Sequence, residues 1–307
     1  MAGNIIYRTI FNIFLSAGFC AGSTVACNKS RVGKYAGRRF SGTWTLLYSI
    51  PSDINPRSVK GPQGEDINAA RVSSFLSMQQ FVYESHVPVW NGNLAFSLLA
   101  PLVRLSGSGE KNNLSTNPGI VGGIILGPVI QWSNKHFFGL RYAHRAEVDI
   151  AIPLGAYNDK YDVNPSSHFF TLTAYYAFTV FLNEQLSIST RNNFNYNFRK
   201  IDSGDQSGAF YNINYAIEHT VYKKLRAELA GYFLKQLTQD AFYGNRQYYQ
   251  DTYKISDTRE RVLAIGPGLS YVTPGGLAAE LKAFFETGAR NRTEGVRPTF
   301  KVAYKLK

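Results

Sequence analysis

The residues of this 307-residue chain that could act together in catalysis are few. Of its five histidines, His168 is the candidate base, because it follows two residues whose hydroxyls could serve as a nucleophile, Ser166 and Ser167. Hydrolysis by a serine requires that a histidine take the hydroxyl proton and that a polar group orient the histidine. One such neighbour pair is weak support, because serines in loops commonly bond to nearby groups. We therefore predict that the chain is not an enzyme, with an esterase or phospholipase as the least favoured function.

The possible metal ligands also lack the spacing of known metal sites. Asp159, Asp162 and Asn164 offer oxygen ligands close together, but the glycine and the terminal glutamate of a calcium loop are missing. The only cysteines are Cys20 and Cys27, which excludes a disulfide framework in the mature chain and zinc sites built on cysteine pairs. The sequence implies no metal and no cofactor.

Charged and amide side chains instead recur at every second position of several segments. Over residues 139–152, Arg145, Glu147 and Asp149 alternate with apolar residues. Residues two apart in a β-strand share a face, so these groups would line one surface. If the surface lines a pore, its mixed charges would select the solute that passes through it. The alternative interpretation is that the charges compensate one another in a polar network that fills a narrow barrel. The predicted lumen- and permeant-contacting residues are Arg141, Arg145, Glu147, Asp149, Arg191, Asn193, Asn195, Arg226, Glu228, Glu280, Lys282 and Glu286.

The segments that would position these residues form a regular series. From about residue 40 onward, twelve segments of about 9 to 16 residues alternate apolar and polar side chains. The connections between these segments are alternately short and long. The short ones include 87–93, 133–136, 183–185, 222–224 and 273–276, and the long ones include 52–68, 104–117, 156–165, 200–207 and 239–257. This pattern is typical of an outer-membrane β-barrel. We predict an all-β, transmembrane antiparallel barrel of about 12 strands over residues 40–307, with the ambiguous segments 71–84 and 119–133 leaving the count open by two.

Aromatic residues distinguish this barrel from a soluble β-sandwich, whose strands would also alternate. The chain has 21 Phe and 20 Tyr, and aromatic residues cluster near the segment ends, as Trp44, Trp90 and Trp132 do. Aromatic girdles at both membrane interfaces are typical of outer-membrane barrels. No segment after the leader reaches roughly 18 consecutive apolar residues, which excludes membrane-spanning helices.

The N-terminus and the charge indicate an exported protein. Residues 1–26 are predicted to be a signal peptide, with Arg8 before an apolar stretch and a cleavage site at Ala26. Residues 27–39 would be a basic periplasmic segment; lipid attachment to Cys27 is an alternative that Thr24 disfavours. The net charge of +12 favours a solvated or lipopolysaccharide-facing surface, with attraction of anionic solutes as the alternative. An exported chain without a recognition motif is not expected to bind nucleic acid.

Runs in the C-terminal two thirds resemble, in order and spacing, the phenol meta-pathway degradation protein family. They include DIAIPLGAYN (149–158), GYFLKQLTQD (231–240), ERVLAIGPGLSY (260–271) and FETGARNRTEG (285–295). The resemblance covers residues from about 95 to the end. It implies an outer-membrane barrel that moves small, often aromatic or hydrophobic, solutes and has no ring-cleaving activity. The chain departs from the family in its basic stretch at 38–43 and in ending with Lys307 rather than an aromatic residue.

These observations together predict a passive channel for small hydrophobic or aromatic compounds in the outer membrane of a Gram-negative-type bacterium. The expected partners are those solutes, the lipid bilayer and lipopolysaccharide, and the outer-membrane insertion machinery. Long loops in barrels often carry function. The predicted loop capture residues are Phe242, Tyr243, Tyr248 and Tyr249. The alternative function is a structural or surface-binding barrel that transports nothing.

Overall fold

The structure, a computed structural model, describes residues 41–48, 58–67, 71–108 and 114–305, which are mostly β-strand. The predicted signal peptide and the predicted periplasmic segment lie outside the described residues. In chain order the elements are β1 (Ser41–Tyr48), β2 (Ser58–Lys60), β3 (Asp66–Ile67), β4 (Arg71–Val89), β5 (Gly92–Ser108), β6 (Ile124–Phe137), β7 (Leu140–Ile152), β8 (Thr171–Phe181), β9 (Leu186–Asn197), β10 (Asp205–Gln206), β11 (Phe210–Tyr222), β12 (Leu225–Gln236), β13 (Ala241–Phe242), α1 (Tyr248–Tyr253), β14 (Arg261–Val272), β15 (Ala278–Arg290), β16 (Arg292–Glu294) and β17 (Val296–Lys305).

Twelve of the described strands close into one antiparallel barrel. Their order is β1-β17-β15-β14-β12-β11-β9-β8-β7-β6-β5-β4, and β4 pairs with β1 to complete the ring. The shorter strands form two small sheets in the loops, β10-β13 and β16-β2-β3. The predicted all-β barrel of about 12 strands is confirmed, and both ambiguous segments contain barrel strands, β4 and β6.

The connections alternate in length as predicted, with one difference in position. Residues 133–136 were expected to form a short turn, and this prediction is wrong because β6 continues to Phe137. The turn lies at Phe138 and Gly139, which have positive φ angles of 47° and 76°. The polar residues 133–136 instead accompany a register shift between Trp132 and Lys135, where Asn134 has a φ of 53°. An extra residue in one strand produces such a bulge.

The barrel strands have an apolar outer face and a lumen-facing side that is largely buried. In β9, Arg191, Asn193 and Asn195 are buried in the lumen, whereas Phe194 and Tyr196 are 46% and 43% exposed on the outside. This arrangement gives lipid an apolar surface while closure satisfies the backbone hydrogen bonds. Among the described residues, no helix is long and apolar enough to cross a membrane.

Candidate channel lumen and loop site

The predicted lumen residues all lie on the inner face of the barrel. Nine are buried, and Arg141, Arg145 and Arg226 are half-buried on the same side of their strands. Strand alternation alone fixes this placement, because the charged positions of β7, β9, β12 and β15 share the parity of the inward side chains. Contact of these residues with a permeating solute stays a prediction.

The first group of lumen charges joins β7 and β9 across β8. We call it the β7–β9 charge cluster: Arg145, Glu147, Asp149 and Arg191. Arg145 donates from Nε to Glu147 Oε2 over 2.8 Å. The ring of Tyr175 on β8 lies under both guanidinium groups, with its centroid 4.3 Å from Arg191 Cζ and 5.6 Å from Arg145 Cζ. Cation–π attraction therefore supports a buried cation, Arg191, and a half-buried one, Arg145, that face two carboxylates. Arg141 lies apart, over Phe181 at 3.9 Å.

The second group joins β11, β12, β15 and β17. We call it the β11–β17 charge cluster: Glu218, Arg226, Glu228, Glu280, Lys282 and Lys301. Lys282 Nζ is 2.5 Å from Glu228 Oε2 and 3.2 Å from Glu280 Oε1, and its side chain is fully buried. The Nη1 atom of Arg226 is 2.9 Å from Glu218 Oε2, and its Nη2 atom donates a hydrogen bond to Ser187 Oγ. The cluster has three cations and three anions, which limits the cost of burying them.

The third group lies near the loop end of the barrel and was largely missed by sequence reasoning. We call it the loop-end charge cluster: Glu260, Glu286, Arg292 and Arg297. Arg297 Nε is 2.7 Å from Glu286 Oε1, and Tyr232 donates its hydroxyl to the same oxygen over 2.6 Å. The Nη1 atom of Arg292 lies 3.5 Å from Glu260 Oε2, and its Nη2 atom lies 3.8 Å from Glu286 Oε1. Only Glu286 was predicted. Glu260 and Arg292 lie outside the barrel strands, where alternation gives no signal, whereas Arg297 lies in β17 with the inward parity of Lys301 and was not singled out.

Uncharged polar residues line the wall between these clusters. Thr171 and Thr173 on β8 donate to Asn197 and Asn195 on β9, each over 2.8 Å. Asn195 continues the series by donating to Asn212 on β11 over 3.2 Å. These buried groups bond to one another across neighbouring strands, as buried polar groups require.

The wall formed by β4, β5, β6 and β7 is apolar instead. A buried group there, which we call the apolar lumen cluster, consists of Leu76, Met78, Leu99, Val103, Leu105, Ile125, Ala151 and Val163. Val163 comes from the connection between β7 and β8, and its backbone oxygen accepts a hydrogen bond from Asn117 N–H in the preceding loop. That preceding loop also runs along β5, where Val103 N–H donates to Ile120 O. Two connected loops therefore cover an apolar surface on the inner wall.

The predicted capture residues form one aromatic group in the long loop between β12 and β14. The rings of Phe242 and Tyr248 stack at 4.3 Å, and Tyr249 lies edge-on to Tyr248 at 5.4 Å. Tyr249 is buried and donates its hydroxyl to Asp205 Oδ1 in the neighbouring loop. Tyr243 is 68% exposed and lies beside Arg199. The rings thus hold the loop together, and their capture of a solute stays a prediction.

The residues considered for catalysis have other roles in the structure. The ring of His168 stacks on Tyr157 at 4.0 Å, and its Nε2 lies 3.7 Å from Asp202. The Ser167 hydroxyl donates to the carbonyl of Phe169. Ser167 and His168 are therefore not arranged as a nucleophile and its base.

The oxygen ligands considered for calcium also have other partners. The carboxylate of Asp162 accepts hydrogen bonds from the hydroxyl and N–H of Ser115, which lower the pKa of Asp162. The side-chain oxygen of Asn164 accepts from Asn117 and from Asn158 N–H. Within the described part of the chain, no group of three or more His, Cys, Asp or Glu is placed to hold a metal ion.

Comparison with known proteins places this barrel in a family. The chain has the fold of the COG4313 outer membrane channel from Pseudomonas putida F1, with a TM-score of 0.70 at 12% identity over 91% of this chain and 100% of that one. A KdgM porin gives a TM-score of 0.43 at 9% identity over 87% and 99% of the two chains. No curated protein matches the sequence. Residues 57–302 match the family described as "Putative MetA-pathway of phenol degradation". The chain is thus an outer-membrane β-barrel that belongs to this phenol-degradation family, as the sequence resemblance implied.

Proposed function

We propose that the protein is an outer-membrane channel through which small hydrophobic or aromatic compounds pass without an energy source. The apolar lumen cluster carries this proposal. A pore for hydrophilic solutes has a polar, water-filled interior, whereas here one inner wall presents Leu76, Met78, Leu99, Val103 and Ile125. These side chains are at most 9% exposed beneath the covering loops, so an apolar solute would reach them by displacing Val163. It would then contact a surface on which it need not remain hydrated.

The polar wall beside it, which begins at β8, supports an amphipathic solute in particular. The Thr and Asn side chains of β8, β9 and β11 provide hydroxyl and amide groups. A ring that carries one polar substituent would find complementary groups on the two walls. Phenol-like compounds have this chemistry, and the assignment of the family to a pathway of phenol degradation agrees with it.

Uptake into vesicles whose outer leaflet contains lipopolysaccharide tests the proposal. Plain phospholipid vesicles are unsuitable because apolar solutes cross them unaided. We expect phenol to enter faster with the protein than without it, and Leu99→Asn to slow this entry by about fivefold, since an amide in an apolar wall costs about 1 kcal/mol. Leu154→Asn makes the same substitution at an exposed loop position and should leave uptake unchanged.

Two outcomes would contradict the proposal. Correctly folded protein that gives no uptake above protein-free vesicles would exclude the channel and favour the structural or surface-binding barrel. Uptake that is equally fast with Leu99→Asn would exclude the apolar lumen cluster as the path.

A further inference from the structure

A separate cavity lies in the long loop between β12 and β14, outside the barrel wall. Its volume is about 370 Å³, within the range of sites that hold small ligands. Three of its residues contribute apolar surface, Leu237, Tyr249 and Ile255, and the others are polar or charged: Thr238, Gln239, Arg246, Gln247, Gln250, Ser256, Thr258 and Arg259. The cavity therefore combines an apolar side with a cationic, hydrogen-bonding side.

The chain holds the walls of this cavity in fixed positions. Phe242 and Asn245 exchange backbone hydrogen bonds of 3.0 Å around a tight turn, where Tyr243 and Gly244 have φ angles of 48° and 85°. Positive φ at both central residues explains the glycine, which adopts this conformation without strain. Asp205 fixes α1 by accepting the Tyr249 hydroxyl over 2.6 Å. The turn thus fixes the backbone next to Arg246, a residue that lines the cavity.

The polar residues of the cavity divide into engaged and available groups. Gln239 accepts from both the N–H and the hydroxyl of Thr258, and Arg259 makes a two-bond ion pair with Asp257 at 2.9 and 3.0 Å. These residues form walls. In the described part of the chain, no hydrogen bond or ion pair engages the side chains of Arg246, Gln247 and Gln250. One guanidinium and two amides therefore remain for a ligand.

We propose that this cavity binds a small aromatic carboxylate. The guanidinium of Arg246 matches a carboxylate in shape and charge and can donate two parallel hydrogen bonds to it. The amides of Gln247 and Gln250 supply further donors, and Leu237, Tyr249 and Ile255 receive the ring. A role as the first binding site for a transported solute rests on the proposed function, but the binding itself does not.

Equilibrium dialysis of the purified full-length protein in detergent, against empty micelles, tests the site. Benzoate is the probe; benzyl alcohol has the ring without the charge, and acetate has the charge without the ring. We expect benzoate to bind about tenfold more tightly than either, and Arg246→Gln to remove about that factor. Lys254→Gln removes an exposed cation from the same loop outside the cavity and should leave benzoate affinity unchanged.

Three results would overturn the site: no benzoate binding, equal affinities for benzoate and acetate, or an Arg246→Gln variant that binds benzoate normally. The vesicle assay with phenol separates this inference from the proposed function. Benzoate binding without phenol uptake would support the site and exclude the channel. Phenol uptake without benzoate binding would support the channel and exclude the site.

Discussion

Single residues in the lumen show how a barrel interior tolerates charge. Lys282 is fully buried, yet two carboxylates lie within 3.2 Å of its Nζ atom. A buried ion without a partner loses its hydration and gains nothing in return, so removal of one partner costs more than the pair contributes. The β11–β17 charge cluster therefore stabilises the barrel only as a complete set.

Replacement of Lys282 by methionine should destabilise the barrel by about 3–5 kcal/mol, because Glu228 and Glu280 would lose their shared cation. The free energy of unfolding can be measured by urea titration in phospholipid vesicles. Adding Glu228→Gln to the variant should recover a large part of the loss, since Glu280 still pairs in register with Lys301. Lys160→Met, in an exposed loop, should change the free energy of unfolding by no more than about 0.5 kcal/mol. An equally small effect of Lys282→Met would contradict the ion-pair account.

The sequence could predict which strand residues face the lumen but not which of them pair. Alternation places Glu228, Glu280 and Lys282 inside because side chains in a strand have a period of two. The partners of Glu286, by contrast, include Arg292, which lies just beyond β15 and reaches Glu286 only through the fold. Residues outside the barrel strands have no periodic neighbours, and for that reason Glu260 and Arg292 of the loop-end charge cluster could not be predicted.

At the scale of strands, close backbone approach determines which positions tolerate a side chain. Gly266 faces inward on β14, and a Cβ atom there would overlap the carbonyl oxygen of Ala283 on β15. Gly275 lies in the turn between the same two strands, where an added Cβ meets no atom closer than 3.9 Å. The two glycines belong to one hairpin, yet only the first is required by contact between strands.

Gly266→Val should therefore separate β14 from β15 and destabilise the barrel by about 3 kcal/mol or more, as overpacking does in a tight interior. The mobility of unheated protein on denaturing gels reports the fraction of closed barrel. The Gly275→Ala variant should have the same gel mobility before heating as the unsubstituted protein. Normal closure of the Gly266→Val barrel would show that β14 can shift to accept the side chain.

The turns show where sequence patterns succeed and fail at this scale. Trp90 and Asn91 form the tight turn expected between β4 and β5, both with positive φ. The polar run 133–136 has the composition of a turn but forms a bulge, because pairing of β6 with β7 resumes at Lys135 and continues to Phe137. Composition marks a break in regular pairing, whereas tertiary pairing decides whether the chain reverses there.

For the whole molecule, the balance of charge inside the barrel matters more than the net charge of the chain. The β7–β9 charge cluster and the loop-end charge cluster each combine two cations with two anions. The surplus of basic residues in the chain therefore comes from residues outside these clusters. Clusters of zero net charge, with Arg141 as one further cation on the inner face, should favour anions over cations only weakly.

Single-channel recordings under a salt gradient should accordingly show weak ion selectivity. Arg145→Glu should make the channel cation-selective, because the β7–β9 charge cluster would then contain three carboxylates beside Arg191. The exchange of both residues, Arg145→Glu with Glu147→Arg, restores the balance and should restore weak selectivity. An unchanged reversal potential in Arg145→Glu would place the ion path away from this cluster.

The pairing of β1 with β17 also constrains when the molecule can fold. Thr43 lies opposite Lys305 in this seam, so the contact that closes the ring joins residues from the two ends of the described chain. Pairings between such distant residues form slowly, because a long loop must close before the contact stabilises it. An exported chain would therefore spend time with unpaired strand edges and exposed apolar side chains, a state prone to aggregation. The closed ring of the finished barrel thus makes its biogenesis depend on protection of the complete, still unfolded polypeptide.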